Sequence, residues 1–414
     1  MCLLNFGLQS PENKVVMALS ASEQTSVPPT VRWLGMGQSA DPDARTAGIA
    51  AARQALAGGI PKLLLVFCSA TYDLGALLAG INAHAGGVPL IGCSTAGEIA
   101  TTGPADASVV VLALGGEGFS VSTGVGMVAL GGLREAAADA AACVAGVEDR
   151  PHKVLLMLSD GLGGDQMEVV RGAYEVVGTE YPLVGGCAGD DLRMQATHQL
   201  FGDRALQGAV VCAALGSDAP IGIGVQHGWR KVGEPMVVTA SGANRVHTLD
   251  DQPALDVYLQ RLGAPADAVS DPDAFTRFAL THPLGLSRRS GEEVRFVAEA
   301  NFADRSLGCI AEVPQGGLAW MMEGDGDSVL AATDVACTDA LAALGTQAPL
   351  GLVAFDCIAR RGVLGEEGIS REVARIAGHA GGAPVTGFYT YGEIARTRGM
   401  SGFHNQTLVV LALG

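Results

Sequence analysis

Hydrophobic residues in this chain gather in short unbroken runs, set between alanine-rich stretches with helical spacing. Residues 63–67, 154–158 and 352–355 have no polar break, which predicts strands buried on both faces. Helical spacing covers residues 46–56, 74–84, 133–144, 166–177 and 329–344, and again 251–262 entered through Pro253. Asp41 is the expected N-cap of the first helix, with Pro42 at its first position. Further strands are expected at 109–114, 120–126, 221–225 and 236–239, with a strand pair around 295–300. Residues 265–272 read as a polar break and 323–327 as a hairpin turn.

One pattern follows each apolar run. It reads Pro89-Leu90-Ile91-Gly92-Cys93-Ser94-Thr95-Ala96-Gly97-Glu98, then Pro182-Leu183-Val184-Gly185-Gly186-Cys187-Ala188-Gly189-Asp190-Asp191, then Pro384-Val385-Thr386-Gly387-Phe388-Tyr389-Thr390-Tyr391-Gly392-Glu393. A strand closing on Ala-Leu-Gly comes after each copy, at Gly115, Gly216 and Gly414. A strand, helix, strand, glycine turn and strand are thus used three times. The predicted class is α/β, an α+β sandwich of repeated units with mixed sheets covered by helices. Residues 1–30 read as a loose tail, 31–243 as a domain of two units and 244–414 as a domain holding the third.

The charge balance narrows the partners. Lys plus Arg number 26 against 43 Asp plus Glu, a formal net charge of -17. A nucleic-acid binder or a surface drawn to anionic lipid needs the opposite sign. No apolar run approaches the ~20 residues of a membrane span. Nine scattered cysteines without a CxxC pair, and an N-terminus without signal-peptide features, predict free thiols in a soluble cytoplasmic protein.

Candidate chemistry sits in the turns. Tyr389, Thr390, Tyr391 and Glu393 combine aromatic faces, hydroxyls and a carboxylate, the make-up of a ligand pocket, with His404 and Asn405 within a hairpin's reach. Ser94, Thr95 and Glu98 are their counterparts in the first copy, and Asp190 and Asp191 in the second. Cys93-Ser94 is not the Gly-x-Ser-x-Gly elbow of a hydrolase, and no base lies nearby in sequence. Asp160, Asp165, Asp190 and Asp191 suit a divalent cation in principle, but loop aspartates more often cap helices and turns. None of the eight histidines has metal-pair spacing.

These motifs carry a resemblance. Cys68-Ser69 with Tyr72-Asp73, the turns at 92–98 and 185–191, and His227-Gly228-Trp229 are similar to the N-terminal half of the FIST domain. Cys357-Ile358-Ala359-Arg360, the turn at 388–393 and His404-Asn405-Gln406-Thr407 are similar to its C-terminal half. The resemblance implies a sensory domain of intracellular signalling that binds a small ligand such as an amino acid. It leaves no room here for an output module, so the signal would pass to a separate protein such as a histidine kinase or cyclase. No cofactor is expected. The alternatives are a haem b nitric-oxide sensor acting on a kinase through one axial histidine, and an uncharacterised enzyme using Cys93, Ser94 or Glu98.

Overall fold

Each apolar run becomes the third strand of a six-stranded sheet in a computed structural model that describes residues 32–130, 132–288, 291–397 and 402–414. The tail expected over residues 1–30 lies outside the described residues. The first sheet runs Trp33–Ser39, Val109–Gly115, Pro61–Ser69, Leu90–Thr95, Gln199–Phe201, Arg204–Leu206. The second runs Phe119–Met127, Ala209–Ser217, His152–Ser159, Leu183–Cys187, Glu393–Arg396, Phe403–His404. The third runs Ile221–Gln226, Leu408–Leu413, Gly351–Cys357, Val385–Thr390, Glu98–Ala100, Gly103–Ala105. In all three the central pair is parallel and its neighbours antiparallel. The mixed α/β class expected from the sequence is the class observed.

The last two strands of each sheet come from a different unit. The hairpin at 98–105 pairs with Val385–Thr390, the hairpin at 199–206 with Leu90–Thr95, and the hairpin at 393–404 with Leu183–Cys187. The first unit therefore completes the third, the second completes the first, and the third completes the second. Each exchange supplies a partner for the backbone groups along an otherwise open strand edge.

Alternation along the apolar runs explains their lack of polar breaks. Leu63, Leu65 and Phe67 point inward, as do Val154, Leu156 and Leu158, and Val353 and Phe355; all belong to one core shared by the three sheets. The intervening residues face outward under helices: Leu64 and Val66 beneath Ala44–Ala55 and Leu74–Ala85, Leu155 and Met157 beneath Leu133–Ala141 and Met167–Val177, Leu352 and Ala354 beneath Gly326–Ala342 and Ile358–Ala380. Phe67, Phe355 and Phe388 meet at the centre, with ring centroids 4.7–6.4 Å apart. Fully burying each such side chain is worth about 1.5–3 kcal/mol. The glycine of each Pro-x-x-Gly copy lies beside the neighbouring parallel strand. A Cβ on Gly92, Gly185 or Gly387 would sit 2.1, 1.9 or 2.0 Å from the carbonyl oxygen of Val66, Met157 or Ala354. Only a residue without a side chain fits there.

Between Ile221–Gln226 and Gly326–Ala342 the third unit carries an inserted layer. Strands from Arg230–Gly242 to Leu318–Glu323 form a fourth, eight-stranded sheet, backed by Ala254–Arg261 and Pro272–Ala279 around a core of its own.

Local details differ from the sequence reading in three places. Asp43, not Asp41, caps the first helix, because its carboxylate reaches the Thr46 N–H at 2.8 Å, while Asp41 accepts from the Asp43 N–H. Residues 323–327 are not a hairpin turn: Asp325 and Ser328 form a capping box that starts the helix Gly326–Ala342. The break at 265–272 contains a short 3₁₀ turn and ends in a helix that begins at Pro272 under the Asp271 cap. Among the described residues no helix is long and apolar enough to cross a membrane, and the eight described cysteines are free.

Candidate functional site: a cleft where the three units meet

The three turns converge at one end of the shared core and bond to one another. Ser94 Oγ donates to the Gly189 carbonyl at 2.7 Å, and the Gly189 N–H donates to Ser94 O at 2.9 Å. The Asp191 N–H donates to Thr95 O, the Ala96 N–H to Tyr389 O, the Tyr389 N–H to Gly97 O, and the Cys187 N–H to Gly392 O. Ser94, Thr95, Glu98, Tyr389, Thr390 and Glu393 are brought together at this junction, and all six are buried. Apart from the Tyr389 hydroxyl, which has no partner among the described residues, their polar groups are bonded within the junction.

The first and third turns share a Thr-x-Gly-Glu device. Thr95 Oγ1 lies 2.5 Å from Glu98 Oε1, and Thr390 Oγ1 lies 2.9 Å from Glu393 Oε1. The second carboxyl oxygen accepts a backbone N–H in each case, from Ser108 at 3.1 Å and Thr407 at 3.2 Å. Burial pushes the Glu98 pKa up to about 8 against the hydrogen bonds that oppose it, and burial also raises Glu393. Near neutral pH Glu98 therefore holds a proton, even though the Thr95 hydroxyl donates to it.

The second turn is built differently. Asp190 is buried and accepts from the N–H groups of Met194, Gln195 and Ala196 and from the Tyr391 hydroxyl at 2.5 Å. Burial works to raise its pKa, but those donors outweigh it and hold the carboxyl below its usual range. Tyr391 Oη in turn accepts the Leu192 N–H at 2.8 Å. Asp191, Leu192 and Met194 all take positive φ, an arrangement that needs such an anchor. Tyr391→Phe is expected to cost about 1.5–3 kcal/mol, read as a lower urea midpoint, since it removes a bond to an ionised group. An unchanged midpoint would show that the loop holds itself.

Asp191 faces a cleft of about 580 Å³ to which all three units contribute. Ser69, Thr71 and Asp106 come from the first unit, Asp191 and Arg193 from the second, and Arg361 and Glu366 from the third. Ser69 Oγ donates to Asp191 Oδ2 at 2.9 Å. Partial burial raises the Asp191 pKa despite this bond and nearby Arg193. Arg361 grips Asp106 through two bonds of 2.7 and 2.8 Å and lies over the Tyr389 ring. Of the predicted site residues, Asp191 alone is among those lining this cleft. Ser69, Thr71, Asp106, Arg193, Arg361 and Glu366 were not singled out as site residues from the sequence. The available signal was the Arg360-Arg361 pair directly after a buried strand.

His404 and Asn405 sit in the hairpin that completes the second sheet, away from the cleft lining. His404 Nε2 lies 2.9 Å from the Ala395 carbonyl, and Asn405 donates to His404 O while its Oδ1 is buried with no partner among the described residues. A haem needs two apolar walls and a free imidazole nitrogen. His198 borders a described cleft lined by Ala70, Tyr72, Leu74, Ala205 and Gln207; its Nε2 meets Gln207 at 2.9 Å, and its Nδ1 is buried with no partner among the described residues. Among the described residues no group of three or more His, Cys, Asp or Glu is placed to hold a metal ion.

Comparison with known proteins adds family evidence. The FIST N domain matches residues 62–252 and the FIST C domain residues 254–396. No curated protein matches. Among solved structures, PurLQS from Thermotoga maritima is similar at 12% identity and TM-score 0.22, covering 92% of this chain and 72% of that one. T. maritima PurL complexed with ATP is similar at 13% identity and TM-score 0.21, with 92% and 71% covered. Likeness at those scores carries no argument.

Proposed function

The chain belongs to the FIST family, whose domains are associated with signal transduction and small-ligand sensing, and from that premise we propose that a small zwitterion, such as an amino acid, binds in the cleft between the three units. The observation that carries this reading is that Asp191 and Arg193, two residues apart on one loop, both line a cleft walled by three units. An ammonium group suits Asp191, with Thr71 beside it. A carboxylate suits the planar fork of Arg193. Ile358 and Leu192 offer apolar surface to a side chain. The occupant would touch all three units, so binding would bias how they sit together, and a separate kinase or cyclase would read that change.

The reading includes no covalent chemistry. Cys93 is buried and its thiol is pushed well above the ordinary range by burial, while Ser94 spends its hydroxyl on Gly189. Neither is poised as a nucleophile.

Thermal-shift screening of an amino-acid panel, followed by calorimetry on the best stabiliser, tests the proposal. Asp191→Asn is expected to weaken that ligand about 10- to 100-fold, the loss of one charge-assisted bond. Unchanged affinity in the variant would remove the cleft from the argument.

A further inference from the structure

The helical turn that begins at Ile358 touches the cleft on one side and the inserted layer on the other. Arg361 and Gly362 line the cleft. Arg360, one residue earlier, points the opposite way into a fully buried knot. It bonds Asp356 at 2.8 Å and Thr333 at 3.0 Å, pairs with Glu372, and donates to the carbonyl of His227 at 3.1 Å. His227 belongs to the connection between Ile221–Gln226 and the insertion. Val363 and Leu364 then pack on Trp229, Val294 and Met322, which belong to that connection and to the insertion itself. The returning connection is seated in the same place: a Cβ on Gly324 would strike the Trp229 ring at 2.4 Å.

The turn ends abruptly. Gly365 has φ 63° and ψ 179°, outside helical geometry, so the stretch from Ile358 to Leu364 is separated from the long helical remainder up to Ala380. The break gives the segment a hinge of its own, with the Arg360–Glu372 pair still tying it to the remainder. It is held on the cleft side by the Arg361–Asp106 pair, which reaches across to the first unit.

We propose that this turn is a lever by which the cleft controls the seating of the inserted layer, residues 230–323. Whatever disturbs the Arg361–Asp106 grip shifts the turn. The shift passes through Arg360 to the His227 carbonyl and through Val363 and Leu364 to the Trp229 cluster, loosening or tightening both connections to the insertion. The inference rests on the cleft being the sensory site, but its mechanical part holds or fails without any ligand.

Hydrogen–deuterium exchange on the full chain, with no ligand added, tests it. Asp106→Asn weakens the grip from the first unit and leaves the turn's own residues intact; Arg361→Ala weakens it from the turn. Both are expected to speed exchange about tenfold at the amides of Trp229 and Gly324, which bond to His227 Nδ1 and Thr281 O, while His152–Ser159 in the second sheet keeps its protection. If Arg361→Ala does not fold, Asp106→Asn decides alone. Faster exchange confined to 106–108 and 358–366, with Trp229 and Gly324 unchanged, would overturn the lever. A protein that passes this test but binds no zwitterion would keep the lever and lose the proposed ligand.

Discussion

Replacing Arg360 by methionine is expected to lower stability by about 3–5 kcal/mol, the loss typical of removing one partner from a buried ion pair. The guanidinium is fully buried between Asp356 and Glu372 and makes bonds to Thr333 and two backbone carbonyls. Without it two carboxyl groups face each other in an apolar surround. Burial and the Glu372 carboxylate push Asp356 well above the ordinary range, and Arg360 opposes that push. Urea midpoints of wild type and Arg360→Met near neutral pH check the expected loss. A loss under about 1 kcal/mol would mean that the knot adds little net stability, as some buried ion groups do.

The second large effect is a dependence on pH that runs against the usual trend for carboxylates. Unfolded, Glu98 ionises near its ordinary value of 4.5; folded, it holds its proton to about pH 8. Between those values the folded state binds more protons than the unfolded one. This contribution is fully present below about pH 4.5 and is lost as the pH rises to about 8, at up to about 1.4 kcal/mol per pH unit. Glu393 is shifted the same way and adds to the slope. Asp190, held below its usual range, acts in the opposite sense and penalises strong acid. Stability should peak in mild acid. The double variant Glu98→Gln, Glu393→Gln keeps neutral groups in both turns and should flatten the fall between about pH 5 and 8. A double variant that retained the wild-type slope would show that neither proton is held.

What was legible in the sequence is what local physics decides. The runs at 63–67, 154–158 and 352–355 announced strands buried on both faces, because both the shared core and the outer helices need apolar residues there. The Pro-x-x-Gly copies announced a tight position, and each glycine does lie against a neighbouring carbonyl. The helix Ile358–Ala380 was not legible, since Gly362, Gly365, Gly368 and Gly378 dilute its periodicity and one of them breaks it. The hairpin exchange was hidden for a different reason. Which strand edge a hairpin covers is fixed by the packing of distant units and leaves no trace in spacing.

The candidate site shows the same division. Thr390 and Glu393 have the composition of a pocket lining, yet a buried junction that must satisfy its own polar groups draws on the same residue types. Asp191 could be named from its turn. Asp106 and Arg361 could not, because they come to Asp191 from the first and third units and only the assembled core brings them together; Arg193 lies two residues on, but no spacing marked it as part of a cleft.

The hairpin exchange also sets an order of events as the chain is made. Thr101 bonds to Val385 across 284 positions of sequence, and Trp33–Ser39 is already paired long before that partner exists. While synthesis proceeds, the hairpin at 98–105 has no sheet to join, and Leu183–Cys187 waits with an open edge for residues 393–396. The first half can assemble its helices and central strands early, but the ring of units closes only when the final segment emerges. Until then the growing chain presents unpaired strand edges, so slow translation through residues 220–380 should favour association with chaperones, and truncation before residue 393 should yield a protein prone to pair with its neighbours.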